Sequence, residues 1–590
     1  MEVDHSDPVP DCSVATETPA FGNRFWQTNW SHIIAILVIV GGIYGLRLSM
    51  LPLHGEESRW AQGAAQMLQT GDWIVPRQQG EVFPERPPLN SWAMAAAATL
   101  WGELDETAVR LPSVIAMMMT TLLVFVYTRS FLPIVGSVVA AGAFATMGQV
   151  LQIGRLGESE SIFTFFVAAS LLLWHLGYTS KWPSVLMWCV AYGLAALGAL
   201  TKGIQAPVYL VAVVGMFLLI KRDWKTAFSW SHLVGIISFV TIVGAWQIPF
   251  YMQTQWDDVV AIWLGLASDR VAMGGLLQHL AAYPVETLIC LLPWSILLMQ
   301  LIYAPLRRSL KTHSNQLLFL LLPVFVTYPS VWFSIGARGR YFMPLYPCIA
   351  VVIGMIVQHT VQAAESSGVR RGWNRFLSFC ATLAVGLAIT VAVAWFVPSL
   401  ADFQQSIAAT FFVIVLTCSA AAIMLWARRD VTRALPAVYS LIVFLGVAYT
   451  GVAVSARAKS RADLDDMVTT ARKVLPSDQD LVSFGAISHR FCYYYRDPIS
   501  QLPWPEDSQQ LPENIEYFCF QKRPGDTPEL RLEGRGRSWS TTSGTLPFRW
   551  EEAARVSCES RIGKNQNAYV VIGRIIREPT RVAAEKETKR

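Results

Sequence analysis

Apolar runs of about 20 residues, the length that crosses a bilayer as a helix, recur along the first three-quarters of this chain. Lipid leaves backbone polar groups without partners, so such runs must be helical or belong to a closed barrel, and runs this long are helical. They fall near residues 31–50, 110–130, 132–150, 161–178, 183–200, 204–221, 231–250, 285–305, 316–336, 341–360, 376–397, 408–427 and 435–454. About thirteen spans follow, and the expected fold is mainly α, a polytopic transmembrane bundle. Only 15% of the residues are charged, against about 25% in soluble domains. The apolar segment 89–101 is too short to span and reads as an interfacial helix. The 22 tryptophans suit helix ends among membrane lipids.

Lysine and arginine in the short loops orient the bundle. With a cytoplasmic N-terminus, the inner loops hold Arg129, Lys181, and the clusters Lys221/Arg222/Lys225, Arg307/Arg308/Lys311, Arg370/Arg371/Arg375 and Arg428/Arg429/Arg433. An odd number of spans then leaves the C-terminal region outside. Residues 1–28 are polar and aperiodic and read as a flexible cytoplasmic tail; the first apolar run starts too late for a signal peptide. Residues 29–455 form the membrane domain, with a first outer loop at 51–109. From 456 to 590 the chain turns polar and reads as a soluble extracytoplasmic α/β domain. Its expected elements are a helix over 459–475, strands at 481–484 and 569–572, and a charged tail. Of nine cysteines, Cys492, Cys519 and Cys558 lie there; one disulfide is possible, with no readable pairing.

Charges that defy the inside bias carry the functional signal. On the outer side lie Glu56, Glu57, Arg59, Glu85, Arg86, Arg155, Glu158, Glu160, Lys202, Arg338 and Arg340. Several sit at helix ends, where Gly157-Glu158-Ser159-Glu160 opens one span, Thr201-Lys202-Gly203 closes another and Arg338-Gly339-Arg340 opens a third. Any one of them alone is also explained by snorkelling toward headgroups. As a set on the face that carries the carboxylates, they point to an anion site beside an acid/base site. Dispersed arginines and a net charge of +5 give no support to nucleic-acid binding.

Several motifs fall in order: His54-Gly-Glu-Glu-Ser-Arg-Trp-Ala, Gly71-Asp-Trp-Ile-Val-Pro, Glu85-Arg-Pro-Pro-Leu-Asn-Ser-Trp and Ala108-Val-Arg-Leu-Pro-Ser. Then come Glu160-Ser-Ile-Phe-Thr-Phe-Phe, Leu200-Thr-Lys-Gly and Arg340-Tyr-Phe-Met-Pro-Leu-Tyr-Pro. Over residues 30–360 the chain resembles the bacterial GT-C membrane glycosyltransferases, in particular the aminoarabinose transferases and their protein O-mannosyltransferase-like relatives. The resemblance implies an inverting transfer of a sugar from a polyprenyl-phosphate donor to lipid A, a glycan or a protein hydroxyl. It places the enzyme in the bacterial cytoplasmic membrane, acting at the outer face. A carboxylate takes the acceptor proton, and cations hold the leaving phosphate. The family's first loop usually reads Asp-Glu-x-Arg, so Glu56 stands at the base position, Glu57 at the following glutamate and Arg59 at the phosphate-contacting arginine. Arg86 replaces a family lysine. The second family aspartate matches Glu160, with Glu158 as the competing choice. Lys202 and Arg340 add donor-phosphate contacts. Glutamate for aspartate at both acid positions changes the reach of the carboxylates.

Two other classes remain: a carrier of lipid-linked sugar, or an inactive scaffold if the longer glutamates fail to replace aspartate. A carrier would show internal repeats and midplane charges, whereas these charges gather at one face and the first seven spans do not repeat in the later ones. Asp463-Leu-Asp465 reads as a solvated helix face, Trp256-Asp257-Asp258 as a surface loop and His54 as structural. No His/Cys/Asp cluster argues for a metal and no cofactor is implied, Glu85 being the one acid left open for a divalent ion. Phosphate-cradling glycine loops are missing.

Overall fold

The structure is a computed structural model describing residues 23–83, 86–268, 276–335, 337–364, 367–459, 464–476, 479–505, 507, 512, 514–522, 546–558 and 569–577. The segment read as a cytoplasmic tail therefore lies almost wholly outside the described residues, as do Glu85, Asp463 and the charged C-terminal tail. Among the described residues, ten helices are long and apolar enough to cross a membrane, from Asn29–Met50 to Ala434–Ala458. The run expected to span at 285–305 is instead a broken pair, Leu276–Cys290 and Ser295–Ile302, bent by 110°. Two other expected spans are the shorter helices Ile134–Thr146 and Gln205–Lys221. The interfacial segment is a helix at Leu89–Trp101.

The short helix Ile134–Thr146 survives because the bundle encloses it, with every residue from Gly136 to Thr146 buried. Glycine makes that enclosure possible. A Cβ on Gly354, in helix Tyr346–Gln362, would lie 2.5 Å from the Gly136 carbonyl oxygen and 2.8 Å from the Ala140 Cβ. Helices in lipid gain little from hydrophobic contact and associate through such close packing of small residues. The Gln358 side chain reinforces the pair by accepting a hydrogen bond from the Gly136 N–H at 2.8 Å.

Beyond the bundle, five strands form a mixed sheet in the order Ser500–Leu502, Leu481–Phe484, Tyr517–Lys522, Tyr569–Ile575 and Trp550–Ser557. The first three are mutually parallel and the last two pair antiparallel. Helices Leu464–Arg472 and His489–Tyr495 pack with them around one core. Cys492, Cys519 and Cys558 are free thiols, so the possible disulfide is not formed. Burial pushes Cys492 up to about 12 and Cys558 up to about 11.

This sheet unit rests on the loop after the first span. The Tyr494 hydroxyl bonds the Glu106 carboxylate at 3.0 Å and accepts from the Leu53 N–H at 2.8 Å. Tyr493 donates to the Leu104 carbonyl at 3.0 Å, and the Gln79 amide to Ser483 at 2.8 Å. Contact between the two puts them on one side of the bilayer, so an even number of crossings separates them. Nine of the ten long helices follow the loop, which is odd, so either one of them does not cross or the broken pair or a short helix does.

Gly354→Val should lower the melting temperature of the detergent-solubilised protein, with Gly354→Ala intermediate, because overpacking costs about 1–3 kcal/mol. Equal melting of all three would contradict the close approach.

Candidate active site

The first loop helix, Glu57–Thr70, turns one of its two leading acids inward and leaves the other outside. Successive residues on a helix differ by about 100°, so Glu57 shares a face with the buried Ala61 and Ala64. Its carboxylate, 0% exposed, meets the Arg110 guanidinium edge-on at 2.7 and 2.9 Å. It also accepts from the Gly157 N–H at 2.8 Å and the His54 N–H at 3.0 Å. Arg110 spends its remaining N–H groups on the carbonyls of Leu48, Leu51 and Pro52. All five donors of the fork are thereby used. Burial alone would raise the Glu57 carboxyl, but the charge and hydrogen bonds of Arg110, joined by His54, hold it well below the usual carboxylate range.

Glu56 is the outer one, its side chain 42% exposed and paired with Arg59 at 2.9 Å. Beneath it lies a buried cluster drawn from three helix ends. Glu158 and Glu160 open helix Ser159–Thr179, Lys202 closes Ser184–Lys202, and Arg340 lies in the short 3-10 helix Gly339–Leu345 that leads into Tyr346–Gln362. Lys202 bonds Glu160 at 2.8 Å; Arg340 bonds Glu158 and stands 3.5 Å from Glu160. The cluster touches the loop directly: a Cβ on Gly55 would lie 2.8 Å from the Glu158 Oε1. Gly55 has φ +65°, which glycine adopts without strain. Burial, then the charge of Glu160, push the Glu158 carboxyl above its ordinary range against the pull of Arg340. Glu56 acts electrostatically on both Glu158 and Arg340, and Arg86 on Lys202. Glu160, Lys202 and Arg340 are thus in contact around Glu158, Glu56 and Arg86 act on them electrostatically, Arg59 joins through its pair with Glu56, and Glu57 stands apart.

The remaining outer charges divide. Arg155 is buried and donates to the carbonyls of Leu46 and Arg47, closing the end of the first span. His54 supports Glu57, while Arg338 and Asp257 are exposed. Sequence reasoning missed His489, whose Nε2 accepts from the Arg59 Nε at 3.0 Å. It also missed Glu286, which accepts from the Gly339 N–H at 2.7 Å and steadies the turn carrying Arg340. Neither stands in a motif. Among the described residues, no group of three or more His, Cys, Asp or Glu is placed to hold a metal.

Breaking the Glu57–Arg110 pair from one side leaves a buried charge alone, at a cost of about 3–5 kcal/mol. Arg110→Leu should fold poorly, whereas Glu57→Leu/Arg110→Leu should recover part of the melting temperature. The depressed Glu57 pKa contributes stability at neutral pH, lost as pH falls below the ordinary carboxyl value of 4.5. An acid-melting profile of the double variant should lack that component; an unchanged profile would contradict the assignment.

The chain is similar to known proteins over most of its length. Residues 85–246 match the dolichyl-phosphate-mannose-protein mannosyltransferase family. The undecaprenyl phosphate-alpha-4-amino-4-deoxy-L-arabinose arabinosyl transferase of Pseudomonas paraeruginosa is 26% identical over 514 residues, covering 82% of this chain and 88% of that one. The enzyme of the same name from Edwardsiella ictaluri is 28% identical over 332 residues, 52% of this chain and 57% of its own. Among solved structures, ArnT from Cupriavidus metallidurans bound to undecaprenyl phosphate superposes with a TM-score of 0.65 at 15% identity, covering 92% of this chain and 98% of that one. Its apo form superposes equally well, at 16% identity. In sequence the chain is similar to the bacterial aminoarabinose transferases and, over residues 85–246, to the protein mannosyltransferases, and its fold is that of the ArnT structures, a GT-C membrane bundle.

Proposed function

We propose that the chain is an inverting glycosyltransferase that moves a sugar from a polyprenyl-phosphate donor to a lipid, glycan or protein hydroxyl. The observation that carries this reading is the buried cluster of Glu158, Glu160, Lys202 and Arg340, with the loop that bears the Glu56–Arg59 pair packed against it at Gly55. Buried charge in a membrane protein is costly and is retained for function. The sequence relatives are named for transfer from an undecaprenyl phosphate sugar, and the structural relative holds undecaprenyl phosphate.

Glu56 is the base. It is the one acid of the set open to solvent, so an acceptor hydroxyl can reach it. As the acceptor oxygen bonds the anomeric carbon, Glu56 takes its proton and the carbon–oxygen bond to the donor phosphate breaks on the opposite face. The leaving polyprenyl phosphate carries the negative charge away. Arg59, Arg86, Lys202 and Arg340 hold that phosphate, the arginines by bonding two oxygens at once. Without donor, Glu158 and Glu160 occupy the cations a phosphate would take. Glu57 keeps the loop helix in place and touches no reactant. The basic loops lie on the cytoplasmic side in this reading, and the site and the C-terminal unit (456–590) lie outside.

The test is turnover of radiolabelled undecaprenyl-phosphate sugars by purified protein with a mixed membrane-glycolipid acceptor. Wild type should release undecaprenyl phosphate, and Glu56→Gln should lose at least about 100-fold in rate at unchanged protein level. Full activity in Glu56→Gln would remove it from the role, and binding without turnover of every sugar would favour a carrier or an inactive scaffold.

A further inference from the structure

A second cleft opens on the same loop helix, away from the charge cluster. It has a volume of about 620 Å³ and lies between helix Glu57–Thr70, the Gln79–Gly80 turn and the stretch from Cys492 to Ser500. Sites for small organic ligands occupy about 300–1,000 Å³. Gln62, Gln66 and Gln69 line it from one face of the helix, spaced by four and three residues. Gln79, Thr70 and Ser500 add further amide and hydroxyl groups, and Glu103 and Arg496 add one charge of each sign.

The walls are held and the interior is left available. Gln62 bonds His489 at 3.2 Å and Gln79 bonds Ser483 at 2.8 Å, so these two fix the cleft's sides. Asp497 is tied to Arg472. By contrast, the side chains of Gln66, Gln69, Glu103 and Arg496 make no hydrogen bond or ion pair among the described residues. The backbone of Arg496 has φ +69°, a conformation that non-glycine residues rarely adopt.

We propose that this cleft binds the saccharide portion of the acceptor, a proposal that rests on the glycosyltransferase reading. Each sugar hydroxyl both donates and accepts, and a side-chain amide offers both functions in one plane. The C–H faces of sugar rings match the apolar surface given by Tyr493, Leu104, Pro498 and Ile499. The cleft also connects to the reacting end. Glu56 pairs with Arg59, Arg59 bonds His489, and His489 bonds Gln62 at the cleft wall. From Glu56 to Gln66 is ten residues of helix, roughly 15 Å at 1.5 Å per residue. An acceptor filling both places is an oligosaccharide, its reacting hydroxyl at Glu56 and its distal rings among the glutamines.

The experiment is calorimetric titration of the full-length protein in detergent with three soluble probes. These are deacylated lipopolysaccharide oligosaccharide, a peptidoglycan-derived disaccharide and a serine/threonine-rich peptide. At least one saccharide should bind wild type and lose about tenfold in affinity in Gln66→Leu/Gln69→Leu. The same loss is expected in Arg496→Asn, which tolerates the left-handed backbone. Both substitutions sit on the cleft surface, and elution and melting report whether each variant is folded. No saccharide binding to wild type, binding that both variants keep, or binding of the peptide alone would overturn the proposal. Failure of the glycosyltransferase reading shows separately, as absence of sugar turnover by wild type, and does not alter the saccharide titration.

Discussion

The buried pair of Glu57 and Arg110 holds together the end of the bundle that carries the first loop. One guanidinium reaches the end of the first span at Leu48 and Leu51, the first turn of the loop helix at Glu57 and its own span. Through Glu57 it also reaches the turn at Gly157, one residue before Glu158. Four chain segments are therefore fixed by ten or so atoms. A charge pair so far from water is seldom worth its desolvation as a source of stability alone. Its return here is register: it sets where Glu56, one residue earlier, and Glu158, one residue after Gly157, come to lie.

The second constraint is the sum of charge in the cluster. Two carboxylates and two cations balance in pairs, Glu160 with Lys202 and Glu158 with Arg340. Removal of a cation leaves its partner carboxylate without compensation, and Glu158 is the acid already inclined to take a proton. The C-terminal unit reaches the same residues. Its His489, driven toward the neutral form by burial and by Arg59, bonds the same arginine that pairs with Glu56.

Much of the fold was legible in the apolar runs, because lipid enforces helical length on any run that crosses it. Two runs depart from straight full-length helices, the first where protein rather than lipid surrounds it. Residues 132–150 form a 13-residue helix that buries its short length among neighbours and then breaks at Met147. The run 285–305 bends between Cys290 and Ser295. At the site, the motifs set Glu56 at the base position with Glu57 beside it, and the structure buries Glu57 against Arg110 while leaving Glu56 open to solvent. The signal lay in helix phase: Ser58, Ala61 and Ala64 mark the inward face and place Glu57 beside them. His489 and the Tyr493–Tyr494 contacts carry no such signal, because they depend on docking across some 400 positions of sequence.

The most direct test of the account is whether the buried cluster is a lipid-phosphate site. Native mass spectrometry of the detergent-solubilised chain with undecaprenyl phosphate measures this without needing the sugar or the acceptor. Arg340→Gln is the informative variant, since its partner Glu158 accepts a proton most readily and the fold is spared a stranded charge. The account expects one lipid phosphate bound per chain in wild type and at least about tenfold weaker binding in the variant. Equal occupancy in both would contradict it, and would reduce the cluster to a set of structural ion pairs.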